Sequence, residues 1–273
     1  MATLIVSSNL NPVYLDFIDI QRQLCQVLGI KLFVCKCGME RWNISGQGID
    51  IPSIEGVPDV FVSQVSRFLI PAYFPEELFI VGDIDMVFLD KGYFNRLLKT
   101  KSNNHDLTFV DSNTYEDVLR FPMCYIIGYG SVFKKITEVG ECNFNAFNKA
   151  VQRIYWEFGD WTGDEYYFTQ YALLNSQKIT IEHLNIRVKK GFANRLFLKG
   201  RINRDNWKYS RIKLLLNCYK DAHCLRPIGN NLHELKHLFN FIYCDLNYSK
   251  YLKYEYTRIF KRVPNLFPNF PLR

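Results

Sequence analysis

The chain has 273 residues, of which 48% are hydrophobic and 22% charged, a composition that fits a globular fold and excludes a disordered or fibrous chain. Its formal net charge of +7 biases it toward anionic partners without choosing among phosphates, nucleic acid and acidic lipid. The opening "MATLIVSSNL" lacks the basic region and long apolar core of a signal peptide, and no apolar run reaches the roughly 18 residues of a membrane span, so a cytoplasmic protein without a transmembrane segment is expected.

Thr3 to Val6 predicts a first strand, followed by the polar turn "SSNLNP" from Ser7 to Pro12. In "VYLDFIDIQRQLCQVLG" the spacing of Leu15, Ile18, Leu24, Val27 and Leu28 predicts a helix closed by Gly29, and "KLFVCKCG" predicts the next strand. This order opens a parallel, right-handed α/β sheet. A loop is expected from Gly38 to Pro58, then a helix over "VFVSQVSRFLIPAYF" that stops near Pro71. Further strands are expected in "LFIVGDIDMVFLD", in "DLTFV" from Asp106 and in "MCYIIG" from Met123, the last leading into "GSVFKKI". Asn143 to Tyr155 reads as helical, and "GDWTGDEYYFTQYALLN" joins a Gly-containing turn to a helix that begins near Asp164. The basic, aromatic C-terminus predicts one or two helices. It forms a small extension over 230–273, which leaves a main domain of 1–229. The eight cysteines are scattered, and although Cys35 and Cys37 form a C-x-C pair, no second pair lies at zinc-site spacing, so all are expected to be reduced structural thiols. Most of the aromatic residues, 16% of the chain, are assigned to the core.

The stretch "LFIVGDIDMVFLD" carries the chemical signal. Leu78 to Val81 suits a strand buried on both faces, and two carboxylates, Asp83 and Asp85, follow it directly. Carboxylates bury badly unless paired or bound to a cation, so they belong at the carboxyl end of the strand, where open α/β sheets bind ligands. There the two can converge on one hard cation. Three readings compete. A metal-dependent glycosyltransferase uses such a pair to hold Mn²⁺ or Mg²⁺ against a sugar nucleotide diphosphate. A haloacid-dehalogenase-type phosphatase opens with D-x-D-x-[TV], which "DIDMV" satisfies, but it needs a later acidic pair after a buried strand, and "GDE" at Gly163 to Glu165 does not supply one. A non-enzymatic module would use the basic C-terminus to bind anions, yet no helix-turn-helix, zinc-finger or RNP-like pattern marks a nucleic-acid partner.

The segment "SRFLIPAYFPEELFIVGDIDMVFLD" resembles GT-A-fold, DXD-containing glycosyltransferases of the glycogenin and bacterial galactosyltransferase type, in which an Arg-bearing helix leads into the acidic strand. "LIVSSNLNPVYL" is similar to their nucleotide-binding first strand and loop, and the layout resembles that of small glycosyltransferases encoded by large DNA viruses. The resemblance covers roughly residues 3 to 229 and is most specific over Arg67 to Asp90. It implies an α/β, mostly parallel mixed sheet flanked by helices, a UDP-sugar donor, a glycan acceptor and a Mn²⁺ or Mg²⁺ cofactor. By that resemblance Ser7, Ser8, Asn9, Arg67 and Asp83 contact the donor, and Asp83, Asp85 and His223 of "DAHCLRPIG" hold the metal. Arg226 supplies positive charge where the family's H-x-x-G-x-x-K-P pattern is not intact. Asp164 or Glu165 acts near the reacting carbon, Asp111 is a weaker sugar-contact candidate, and Trp156 and Trp161 are candidates for stacking on acceptor sugars. Asn11 stands where an aromatic often stacks on uracil, which leaves the base open. Contact with a membrane surface through the basic tail is compatible with this layout.

Overall fold

The first strand, β1 (Thr3–Asn9), divides the interior in two, because successive side chains of a strand point to opposite faces. Leu4 and Val6 enter one apolar cluster and Ile5 the other. Its neighbour β2 (Lys31–Met39) follows the same rule, with Val34 on the first side and Phe33, Cys35 and Cys37 on the second. The computed structural model describes residues 1–99, 106–110, 120–184, 200–216 and 218–241.

Eight strands form the main sheet, in the order β3-β4-β2-β1-β5-β8-β7-β9. These include β3 (Asn43–Ser45), β4 (Gly48–Pro52), β5 (Leu78–Val81), β7 (Asp106–Val110), β8 (Ile126–Tyr129) and β9 (Thr180–Leu184). Strand β1 lies parallel to β2 and β5, β2 to β4, and β7 to β9, whereas β8 runs antiparallel to both β5 and β7. The sheet is therefore mixed and mostly parallel, as expected. Helices flank it on both faces. On one side, α2 (Phe17–Leu28) places Phe17, Ile20 and Leu24 against Leu4 and Val6, and on the other α3 (Asp59–Leu69) places Phe61, Val62 and Val65 against Ile5. Helix α2 closes on Gly29 at φ 69, where the amide of Ile30 reaches back to the Cys25 carbonyl at 3.0 Å.

A second sheet, ordered β10-β11-β6, joins β6 (Met86–Phe88), β10 (Gly200–Ile202) and β11 (Tyr219–His223). Helix α9 (Leu232–Phe241), within the segment expected to form a C-terminal extension, adds Leu235, Leu238 and Phe239 to the cluster that contains Leu4 and Met86. Residues 242–273 lie outside the described residues.

Several expectations need correction. Strand β1 does not stop at Val6: Ser7, Ser8 and Asn9 pair in register with Cys35, Lys36 and Cys37, because the ladder uses only backbone groups. The expected helix over Val13 to Gly29 breaks at Asp16, leaving a one-turn α1 (Pro12–Leu15) ahead of α2. The loop from Gly38 to Pro58 contains the β3–β4 hairpin, with Ile49 and Ile51 buried. Helix α3 ends at Leu69 and continues as a 3-10 turn through Tyr73, centred on Pro71. The acidic run is not one strand. It leaves the main sheet at Val81, turns through Asp83 and Asp85, and enters the second sheet at Met86. Residues Met123 to Tyr125 precede β8 rather than belong to it. The cysteines agree with the sequence reading: those described are free, and burial pushes the Cys37 thiol up to about 12, which keeps it protonated and unreactive.

Candidate active site

The cleft opens where β1 and β5 end, at the carboxyl edge of the sheet. Its volume of ≈ 270 Å³ lies at the lower limit of small-molecule pockets, so a larger ligand extends into solvent. Ser7, Ser8 and Asn9 line it from β1, Asp83 and Asp85 from the acidic turn, and Asp164 and Glu165 from the start of α7 (Gly163–Leu174). His223 enters from the end of β11. It sits on a strand whose register pairs it with Met86, next to Asp85.

Asp83, Asp85 and His223 offer ligand atoms that all lie within 4.8 Å of one another, the one such grouping of His, Cys, Asp or Glu among the described residues. The two acids converge through a tight turn, closed by the Met86 amide on the Asp83 carbonyl at 3.1 Å, and not through strand alternation. The turn is clamped from behind. Gln21 of α2, fully buried, donates to the carbonyls of Ile84 at 2.8 Å and Met86 at 2.6 Å, the residues flanking Asp85, while the Cys224 amide bonds the Asp85 carbonyl at 2.9 Å. Behind His223, on the same face of β11, the fully buried Asp221 takes a bidentate pair from Arg201 at 2.8 and 2.9 Å.

Arg67 of α3 is buried and bridges two acids. Its guanidinium donates to Asp83 and, at 2.8 Å, to Asp164 Oδ2, and its Nε bonds the Gln64 carbonyl at 3.2 Å. Burial acts to raise the Asp83 carboxyl, but Arg67, then His223 and Arg201, outweigh it and hold the group below the ordinary range. Asp164 goes the other way: burial raises it, and Arg67 offsets only part of the cost. Gly163 lets α7 begin there, since a Cβ at that position would lie 1.7 Å from the Phe158 carbonyl oxygen. The "GDE" segment is thus a helix start, and it does not provide the acidic strand end that the phosphatase reading needs.

Asp85 faces a different set of cations. Its Oδ2 accepts a hydrogen bond from Arg204 Nη1 at 2.8 Å and lies 3.2 Å from Arg226 Nε and 3.4 Å from His223 Nε2. Arg226 also stacks on Tyr14, 4.7 Å from the ring centroid, and bonds its hydroxyl. Arg204, Arg120 and Tyr14 line the cleft and were not singled out in the sequence, where no local pattern marks them. Asn11 caps α1 by accepting from Val13 at 3.0 Å. Trp161 is exposed at the cleft, whereas Trp156, 80% exposed, is not part of its lining among the described residues. Asp111 lies outside the described residues.

No family model matches the chain, and no curated protein matches it in sequence. Among solved structures it is similar to the apo form of the glycosyltransferase GlyE of Streptococcus pneumoniae TIGR4, at 12% identity and a TM-score of 0.40, over 66% of this chain and 44% of that one. The chain therefore spans less than half the length of that structure. It is also similar to the galactosyltransferase LgtC in complex with donor and acceptor sugar analogues, at 11% identity and a TM-score of 0.44, over 81% of this chain and 86% of that one.

Proposed function

We propose that the chain is a metal-dependent glycosyltransferase that takes a sugar from a nucleotide diphosphate donor, a UDP-sugar, and passes it to a glycan acceptor. The observation that carries this reading is the convergence of Asp83, Asp85 and His223 in a cleft that also gathers arginines. Two carboxylates and an imidazole make an oxygen-rich donor set that suits Mn²⁺ or Mg²⁺ better than thiolate-seeking ions. Their 4.8 Å spread is close to the roughly 4.2 Å across an ion with ligands at about 2.1 Å. When bound, such an ion supplies Lewis-acid stabilisation of the charge that builds on the departing nucleoside diphosphate.

The remaining groups have separable tasks. Ser7, Ser8 and Asn9 end β1 beside the acidic turn and are assigned to the nucleoside, with Tyr14 near by in place of the aromatic that Asn11 does not provide. Arg226 contributes positive charge toward the phosphates. Arg67 fixes Asp83 and Asp164 relative to each other. Asp164 and Glu165 are the acids for the acceptor side: one accepts the hydroxyl proton if the reaction inverts, or stabilises an oxocarbenium-like species if it retains. Trp161 offers an exposed indole to the apolar face of a sugar.

The test is donor hydrolysis. With Mn²⁺ and a panel of sugar nucleotides, the protein should slowly release free nucleoside diphosphate, and Asp85→Ala should abolish the release. Hydrolysis of simple phosphate esters instead, or UDP binding that ignores the metal, sinks the reading.

A further inference from the structure

We propose that Arg204 is an exchangeable counter-ion of Asp85, seated on the carboxylate while no divalent cation is bound and turning to the phosphates of the nucleotide when cation and nucleotide enter together. The inference rests on the metal-dependent reading above and deepens it.

Asp85 is nearly closed off, with 4% of its side chain exposed, and its Oδ2 already meets three nitrogens, from Arg204, Arg226 and His223. Of the three, Arg204 is the one that hydrogen-bonds this oxygen, while Arg226 and His223 lie within ion-pair distance of it. A divalent cation that joins Asp85 meets two guanidinium groups already beside the carboxylate. A guanidinium that keeps its hydrogen bond to a ligating carboxylate stays within a few ångströms of the ion, and like charges that close repel. That repulsion is relieved when the hydrogen-bonded neighbour withdraws.

The surroundings select the same side chain. His223 belongs to the donor set itself and is held by the β11–β6 ladder. Arg226 is anchored by the ring and hydroxyl of Tyr14. Arg204 occupies the second position of a β-turn closed by the Asn206 amide on the Asn203 carbonyl at 3.2 Å, and 27% of its side chain is exposed. Its guanidinium can swing within the cleft it already lines. The acids on the opposite side, Asp83 and Asp164, are occupied by Arg67, so an incoming diphosphate is the anion best placed to receive Arg204.

The consequence is a coupling of two ligands through one side chain. Metal alone must eject Arg204 with nothing to receive it and binds weakly; metal with nucleotide exchanges one anion for another and binds tightly, and by linkage each strengthens the other equally.

Titration of the full chain with Mn²⁺, following free Mn²⁺ by electron paramagnetic resonance with and without UDP, tests this. In the wild type UDP should tighten Mn²⁺ binding at least tenfold. Arg204→Gln should tighten UDP-free Mn²⁺ binding by about tenfold, the worth of one charge-assisted hydrogen bond, and should shrink the effect of UDP. Arg204→Lys, which keeps the charge, should stay near the wild type. If UDP-free binding in Arg204→Gln is unchanged or weaker while Asp85→Ala abolishes Mn²⁺ binding, the exchange is wrong and the metal-dependent reading stands. If Mn²⁺ binding is indifferent to Asp85→Ala, both fall.

Discussion

Asp83 and Asp85 are separated by one residue, yet they belong to opposite walls of the cleft. Asp83 faces the wall built by α3 and α7, where Arg67, with 9% of its side chain exposed, bridges it to Asp164. Asp85 faces the wall built around the second sheet, where Arg204 and Arg226 are 27% and 22% exposed. On the first wall Arg67 and Asp164 are out of water and Asp83, at 30%, reaches solvent, so losing the cation strands a buried charge on Asp164. The second holds its ion pairs at the rim, where solvent or another ligand can replace a partner. The same kind of salt bridge is thus structural on one side and replaceable on the other.

Removing the cation from the closed wall should have the largest effect. Arg67→Met leaves the buried Asp164 and the half-buried Asp83 without their shared counter-charge and should destabilise the fold by about 3–5 kcal/mol in urea unfolding, whereas Arg204→Gln should stay within about 1 kcal/mol of the wild type. Equal losses would erase the contrast between the walls. Asp85→Ala should cut metal-dependent release of nucleoside diphosphate by about 100-fold or more, with a smaller change in unfolding midpoint than Arg67→Met. A smaller effect is expected at Gln21. Gln21→Leu keeps the shape but leaves the Ile84 and Met86 carbonyls without their donor, partly offset because Gln21 Oε1 is itself buried without a hydrogen-bond partner among the described residues. The expected cost is about 2 kcal/mol, with weakened Mn²⁺ binding; unaltered affinity would mean that the turn holds Asp85 without the clamp.

The smallest effects are in pH dependence, and their signs differ within the closed wall. Asp83 is held below the ordinary carboxylate value, so it adds stability that is complete above the unfolded value of ~3.9 and is lost as pH falls through the lower folded value. Asp164 is held above that value, so its contribution is present at low pH and is lost as pH rises through the raised folded value. In thermal melts across the acid range, Asp83→Asn should flatten the loss of stability below pH ~4, and Asp164→Asn should remove an opposing slope above it. If both variants shift the profile in the same direction, Arg67 does not divide its charge between the acids as described.

The sequence made the closed wall easier to read than the open one. Arg67 lies on a helix with an apolar stripe, Asp83 follows an uninterrupted apolar strand, and Asp164 begins a helix, so local periodicity located the elements that carry all three, while the family resemblance singled out Arg67 and Asp164 on them. His223 came from a family pattern and not from spacing. Arg204 sits in a short turn between two polar asparagines, and nothing in that stretch tells that it will meet Asp85 across 119 positions. The hairpin from Asn43 to Pro52 was hidden in a loop rich in Gly and Pro because its outer strand is only three residues long and exposed. The break between β5 and β6 was hidden for the opposite reason. Val81 and Met86 are both buried, and a continuous apolar run does not reveal that its halves pair with different sheets.

The register of β11 against β6 has a practical consequence. Because His223 is paired with Met86 and Cys224 bonds the backbone of Asp85, the separation between position 223 and the acidic turn is set by main-chain hydrogen bonds and not by the side chain at 223. Position 223 is therefore an exchangeable socket on a fixed mount. A carboxylate installed there would harden the donor set, and a thiolate would soften it, so the ionic preference of the cleft could be retuned by one codon while the spacing stays as the ladder dictates.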